Sequence, residues 1–175
     1  GLGDVYKRQA VYFKERFSIP ESLEEIKSIW MDMARDKYTN KVPLKPGARE
    51  FLVWLRQQGI RTGIASSNGI ELVETVLKAQ GIQEYLESVH TCCEVPKGKP
   101  APDIYLLVAK TLGVKPEECL VFEDVPMGIL AGKNAGMRVC AVEDTFSASQ
   151  REEKKELADY YIESYDEIPR ERMQP

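Results

Sequence analysis

The residues most able to do chemistry lie in three short stretches. In LVFEDVPMGILAGKNAG (120–136) an apolar run, Leu120-Val121-Phe122, ends in two adjacent acids, Glu123 and Asp124. Two carboxylates at the end of a strand repel each other unless a cation lies beside them. Oxygen ligands with no His or Cys suit a hard divalent ion, Mg²⁺ before Zn²⁺. The competing reading makes Asp124 a simple N-cap for a helix starting near Pro126. In IASSNG (64–69), Ser66, Ser67 and Asn68 follow a strand and precede a helix. They offer hydroxyls and backbone N–H groups to an oxyanion, or an ordinary helix cap by Ser67 or Asn68. In PKGKPAPDIY (96–105), Lys97 and Lys99 stand in a Pro/Gly-stiffened loop, as a point charge for phosphate or as solvated loop lysines.

The elements that must carry these stretches alternate. Apolar residues at three- and four-residue spacing predict a helical hairpin from Ala10 to about Lys41, broken at Pro20-Glu21-Ser22, and VPLKPGA (42–48) reads as a linker. A helix over 48–58 is closed by Gly59. Strands are expected at 60–66, 88–93, 119–123, 138–143 and 160–164. Helices are expected at 70–80, 102–113, 126–136 and 150–158. This alternation specifies an α/β fold, a parallel sheet with helices on both faces. Ligands of such sheets collect at the carboxyl ends of the strands, where Ser66, Ser67, Asn68, Glu123 and Asp124 fall. Gly128, Gly132 and Gly136 recur every four residues and read as a smooth helix face packed on the sheet. The spacing fits neither dinucleotide nor P-loop glycine motifs.

The remaining features mainly exclude. The chain has 175 residues, 43% hydrophobic and 30% charged, with a net charge near −4. Length and composition fit one sizeable globular domain, or one domain with part of another. The acidic balance argues against nucleic acid as a partner. No run is apolar enough for a membrane span, so no membrane role is expected. The cysteines, Cys92, Cys93, Cys119 and Cys140, lack metal-ligand spacing and read as small buried hydrophobes in a reducing, cytoplasmic setting. His90 has no His or Cys partner nearby and is expected in the core or at a strand end. REEKKE (151–156) reads as a solvated helix face. GLGDVYKRQ (1–9) fits neither helix nor strand and reads as a non-native remnant.

Taken in order, Ser66, then Lys99-Pro100, then Glu123-Asp124 resemble the second, third and fourth motifs of the haloacid dehalogenase superfamily. The wording IASSN, GKPAPDIY and VFEDVPMGILAGKNAGM is similar to the branch of beta-phosphoglucomutase and small sugar-phosphate phosphatases. The resemblance covers roughly residues 10–165. It implies a Rossmann-like three-layer core with a helical cap and phosphoryl transfer through an aspartyl-phosphate. It further implies Ser66 and Lys99 as catalytic groups, Ser66, Ser67, Asn68 and Lys99 around the phosphate, and Mg²⁺ held by Glu123 and Asp124. The substrate would be a small phosphorylated metabolite.

The family's first motif, D-x-D-G-T, is missing: the sequence contains no D-x-D, and Asp4 has neither a preceding strand nor a partner two residues on. The chain therefore reads as starting inside the cap (10–43), followed by a core (44–170) that lacks its first-motif strand. As given, it is expected to be inactive. The resemblance implies that a beta-phosphoglucomutase-like mutase would carry a longer segment with a lysine after Ser66. Here Ser66 runs quickly into a helix with no lysine before Lys78, which favours a phosphatase. A non-catalytic phosphate- or metal-binding relic is the third reading.

Overall fold

The computed structural model describes residues 2–170, with side chains from Ala10 onward. Two helices come first, α1 (Leu2–Phe17) and α2 (Leu23–Asn40). The segment expected to be neither helix nor strand is thus helical from Leu2. It contains no proline, and Lys7, Arg8 and Gln9 are ordinary helix formers, so nothing stops α1 extending. Ser22 starts α2 with a capping box: its hydroxyl accepts from the Glu25 amide (3.2 Å), and the Glu25 carboxylate accepts from the Ser22 amide (2.8 Å). Phe13 closes the hairpin edge-on against Trp30, with ring centroids 5.4 Å apart.

The core follows as α3 (Ala48–Gln57), β1 (Gly63–Ser66), α4 (Ile70–Gln80), β2 (Ser88–Thr91), α5 (Asp103–Leu112), β3 (Leu120–Glu123), α6 (Pro126–Asn134), β4 (Arg138–Val142), α7 (Arg151–Leu157) and β5 (Tyr160–Ile162). Every expected element is present, and most bounds lie within two residues. The first strand is shorter than expected, because its ladder starts only at Gly63, opposite Ser88. β2 stops at Thr91, where the Glu94 carboxylate accepts the Thr91 amide at 2.7 Å and draws Cys92–Glu94 into a 3-10 turn. This turn exposes Cys93, and Cys119 is half-buried, against the expectation that all four thiols are interior; Cys92 and Cys140 are buried.

All strand pairings are parallel, but they form two sheets, β1-β2 and β3-β4-β5. Among the described residues no ladder joins β1 to β3. The period-2 alternation of strands sends Val121, Val139 and Ala141 to one face, with Ile104, Ile129 and Ala131. Cys140 and Val142 go to the opposite face, with Phe122 and Tyr165. Ala65 of β1 joins the first cluster, and Ile64 packs with Val73 and Leu77 of α4. Helices therefore cover both faces, the three-layer arrangement the alternation demands. No helix of the described residues is long and apolar enough to cross a membrane.

The glycine spacing serves three different ends. A Cβ on Gly132 would lie 2.7 Å from Val139 Cγ2, so α6 does sit tightly on the sheet there. A Cβ on Gly128 would instead meet the Glu123 carboxylate at 2.2 Å. Gly136 lies beyond the helix with φ +77° and nothing near its absent side chain. It is a left-handed turn residue, and the single smooth face is corrected on both counts.

Candidate active site

The carboxyl ends of β1 and β3 face each other across the break between the sheets. At β1, Ser66 Oγ accepts the Asn68 amide at 3.0 Å, a tight local turn that leaves the Ser66 proton free to donate. The N-cap of α4 is Gly69, with no side-chain cap bond, so neither Ser67 nor Asn68 is spent on capping. Asn68 Nδ2 reaches the Tyr38 hydroxyl of α2 at 3.4 Å, and the Ser67 carbonyl accepts from the Cys92 thiol at 3.0 Å. The small polar cluster is therefore roofed by the helical hairpin and braced from β2.

Lys99 bridges the break. Its ammonium donates to the Ala65 carbonyl at 3.1 Å and to Glu123 Oε1, joining the ends of β1 and β3. The two side chains are only 12% and 10% exposed. The Tyr105 hydroxyl donates to the same Glu123 oxygen, and the Lys99 ammonium lies 4.9 Å from the Tyr105 ring centroid. Burial, with the Glu123 charge beside it, pushes the Tyr105 phenol far above its usual range, so Tyr105 acts only as a hydroxyl donor. Lys97 is exposed and takes no part. The Gly128 gap is what admits the Glu123 carboxylate to this position.

Asp124 points elsewhere. The N-cap of α6 is Val125, with no side-chain cap bond, so Asp124 does not cap the helix. Its carboxylate, 38% exposed, lies 3.4 Å from Lys45 Nζ, which also contacts Asp144 Oδ2 (2.5 Å) and the Glu143 carbonyl (3.1 Å). The Lys45 hydrogen bond holds the Asp144 carboxyl below its usual range. Lys45, Glu123, Asp124 and Tyr165 line one pocket with Phe122 and Val142.

The haloacid dehalogenase-like hydrolase family model matches residues 5–136. The chain belongs to that family. Hexitol phosphatase A of Escherichia coli (strain K12) is 33% identical over 143 residues, 81% of this chain and 66% of that one. Hexitol phosphatase B of the same strain is 32% identical over 126 residues, 72% and 56%. The crystal structure of CbbY from Rhodobacter sphaeroides, in complex with xylulose-(1,5)bisphosphate, superposes with a TM-score of 0.76 at 25% identity, covering 86% of this chain and 68% of that one. The chain spans 56–61% of the length of several curated relatives.

As ligands for a hard cation, Glu123 and Asp124 have the right donor chemistry, and Asp124 keeps an accessible carboxylate. The set is partial: among the described residues no three His, Cys, Asp or Glu side chains converge for a metal. Ser66, Lys99 and Glu123 lie around one gap, whereas Asp124 sits beside them on the Lys45 side. Sequence reading missed Tyr105, although it stands within the quoted PKGKPAPDIY. It missed Lys45 because a lysine in a Pro-rich linker carries no signal. His90 sits where expected, its ring bonded to Glu94 Oε2 (2.7 Å) and Thr111 Oγ1 (2.8 Å). REEKKE is not simply a solvated face: Lys154 is fully buried.

Proposed function

We propose that this chain is the larger part of a Mg²⁺-dependent phosphatase of small phosphorylated metabolites, sugar phosphates among them, and that it is inactive alone. The observation that carries the reading is Lys99, whose ammonium spans from β1 to β3 across an unpaired gap. The facing edges of β1 and β3 expose backbone donors and acceptors that a further strand would satisfy. A D-x-D strand from a segment ahead of Ala10 would, on this reading, pair between them, with its first Asp as nucleophile beside Lys99. On this reading residues 10–43 are the later part of a cap, and 44–170 are a core short of one strand.

In the proposed reaction the Ser66 hydroxyl, already accepting from Asn68, donates to a phosphoryl oxygen. Ser67 and Asn68, at the same strand end, would complete the phosphate site. Lys99 neutralises charge on the phosphoryl group and nucleophile, and Tyr105 keeps Glu123 oriented. Mg²⁺, held by Asp124 with Glu123, would supply Lewis-acid stabilisation of the developing charge. Such a site works chiefly by fixed electrostatics. The short run from Ser66 to α4 and the named hexitol phosphatases support hydrolysis over mutation. Free cysteines support a reducing, cytoplasmic setting. The net charge of −4 suits a small metabolite rather than nucleic acid as partner.

The test joins the D-x-D segment encoded upstream to this chain and measures phosphate release from a sugar-phosphate panel, with and without Mg²⁺. Release should depend on Mg²⁺, vanish in Asp124→Asn and be absent from the unjoined chain. A folded, joined protein that releases no phosphate from any member overturns the reading.

A further inference from the structure

The buried lysine of α7 is unexplained by packing. Lys154 is 0% exposed, and Ser147, which it contacts, is 2% exposed. A methionine of similar size would fill the site without desolvating a charge, and buried ions commonly add no net stability over such a replacement. What an ammonium supplies and a thioether cannot is donors. Lys154 Nζ donates to Ser147 Oγ at 2.9 Å, the Val142 carbonyl at 3.3 Å and Glu143 Oε2 at 3.5 Å. All three of its protons have acceptors.

The direction of the next bond follows from this one. A serine hydroxyl carries one proton, and lysine has no acceptor to receive it. With Lys154 donating to Ser147 Oγ, the Ser147 proton must go to another group, and the Asp124 carbonyl lies 2.5 Å away. That carbonyl stands between the last residue of β3 and the start of α6, outside both the ladder and the helix. Glu143 holds the far side of Lys154, and hydrogen bonds from Arg151 (2.8 Å) and the Tyr161 hydroxyl fix its carboxylate in turn. From the opposite direction, Lys45 holds the Asp124 carboxylate.

We propose that Lys154 is a positioning residue for Asp124: by forcing the Ser147 hydroxyl to donate to the Asp124 carbonyl, it fixes the peptide plane from which the Asp124 carboxylate hangs. The role matters for catalysis only if Asp124 holds the metal as proposed above. Its geometry can be tested without turnover.

The experiment records the backbone NMR signals of the Asp124 carbonyl and the Val125 amide in this chain, its Lys154→Met, Ser147→Ala and Ser147→Thr variants and the Lys154→Met/Ser147→Ala double. Losing the hydrogen bond should move the Asp124 carbonyl upfield in Ser147→Ala and in Lys154→Met, in the same direction. The second substitution should add little to the first, and Ser147→Thr, which keeps a hydroxyl, should restore the parent shift. Effects of Lys154→Met confined to α7 and β4, or additive with those of Ser147→Ala, overturn the proposal. If Lys154→Met does not fold, the Ala and Thr variants at Ser147 decide: an Asp124 carbonyl that ignores both refutes it. In the joined enzyme, Ser147→Ala should raise the Mg²⁺ concentration for half-maximal rate roughly 10-fold, with a smaller loss at saturating Mg²⁺. Absent turnover would sink the phosphatase reading and leave the carbonyl shifts to decide the positioning role.

Discussion

Replacing Lys99 with methionine removes the cation that, among the described residues, touches the Glu123 carboxylate, which is 10% exposed. Breaking a buried pair from one side leaves an uncompensated charge and costs about 3–5 kcal/mol. The lower end applies here, because the Tyr105 hydroxyl still donates to Glu123. A loss of about 3 kcal/mol in a chain of this size lowers Tm by roughly 6–12 °C. Glu123→Gln alone costs less, since Lys99 keeps the Ala65 carbonyl. The double variant then removes both charges together and should be more stable than the sum of the single losses implies, by at least about 1 kcal/mol. The assay is urea unfolding followed by tryptophan fluorescence, comparing midpoints at unchanged slope. Raising salt should leave the loss intact, because buried pairs are screened far less than exposed ones. A Lys99→Met chain within about 0.5 kcal/mol of the parent, the range of ordinary surface substitutions, would refute the reasoning. Strictly additive losses would refute it equally. Lys99 would then not be what joins β1 to β3.

Three further outcomes are expected. Gly128→Ala places a Cβ 2.2 Å from the Glu123 carboxylate and should cost about 1–3 kcal/mol by overpacking; in a Glu123→Ala background most of that cost should disappear from the denaturation curve. Gly136→Ala, where φ is +77° and no atom crowds the site, should lose about 1–2 kcal/mol through backbone conformation alone, unchanged in the same background. The Arg151 and Tyr161 hydrogen bonds hold the Glu143 carboxyl down at about 2. Its unfolded value is near ~4.3, so its stabilisation is complete above about pH 5 and lost as pH falls toward the folded value. Thermal melts from pH 7 to 3 should show Glu143→Gln losing less stability on acidification than the parent.

Much of this architecture was legible because apolar periodicity reports burial directly. The alternation of Val121 with Phe122, and of Val139 with Cys140, placed strands whose two faces are both covered. Gly59, at positive φ, marks a helix end where it was expected, and Gly81 and Gly113, also at positive φ, end α4 and α5 in the same way. The candidate site residues stood out for another reason: Ser66, Lys99 and Glu123 occupy strand ends and a stiffened loop, where a fold of this class gathers its ligands. What pattern could not convey was the partner of each charge. REEKKE reads as uniformly solvated because periodicity counts Lys154 as polar, whereas the fold turns that position inward and supplies three acceptors. Lys45 likewise meets Asp144 across 99 positions of sequence, a distance over which local spacing carries nothing. Gly128 and Gly132 look equivalent in sequence, yet one faces a carboxylate and the other a valine. Charge and absent side chains thus gain their meaning from contacts that only the folded chain creates. The same argument predicts where sequence reading of related chains will fail first: at buried ions and close-approach glycines, before it fails at any strand.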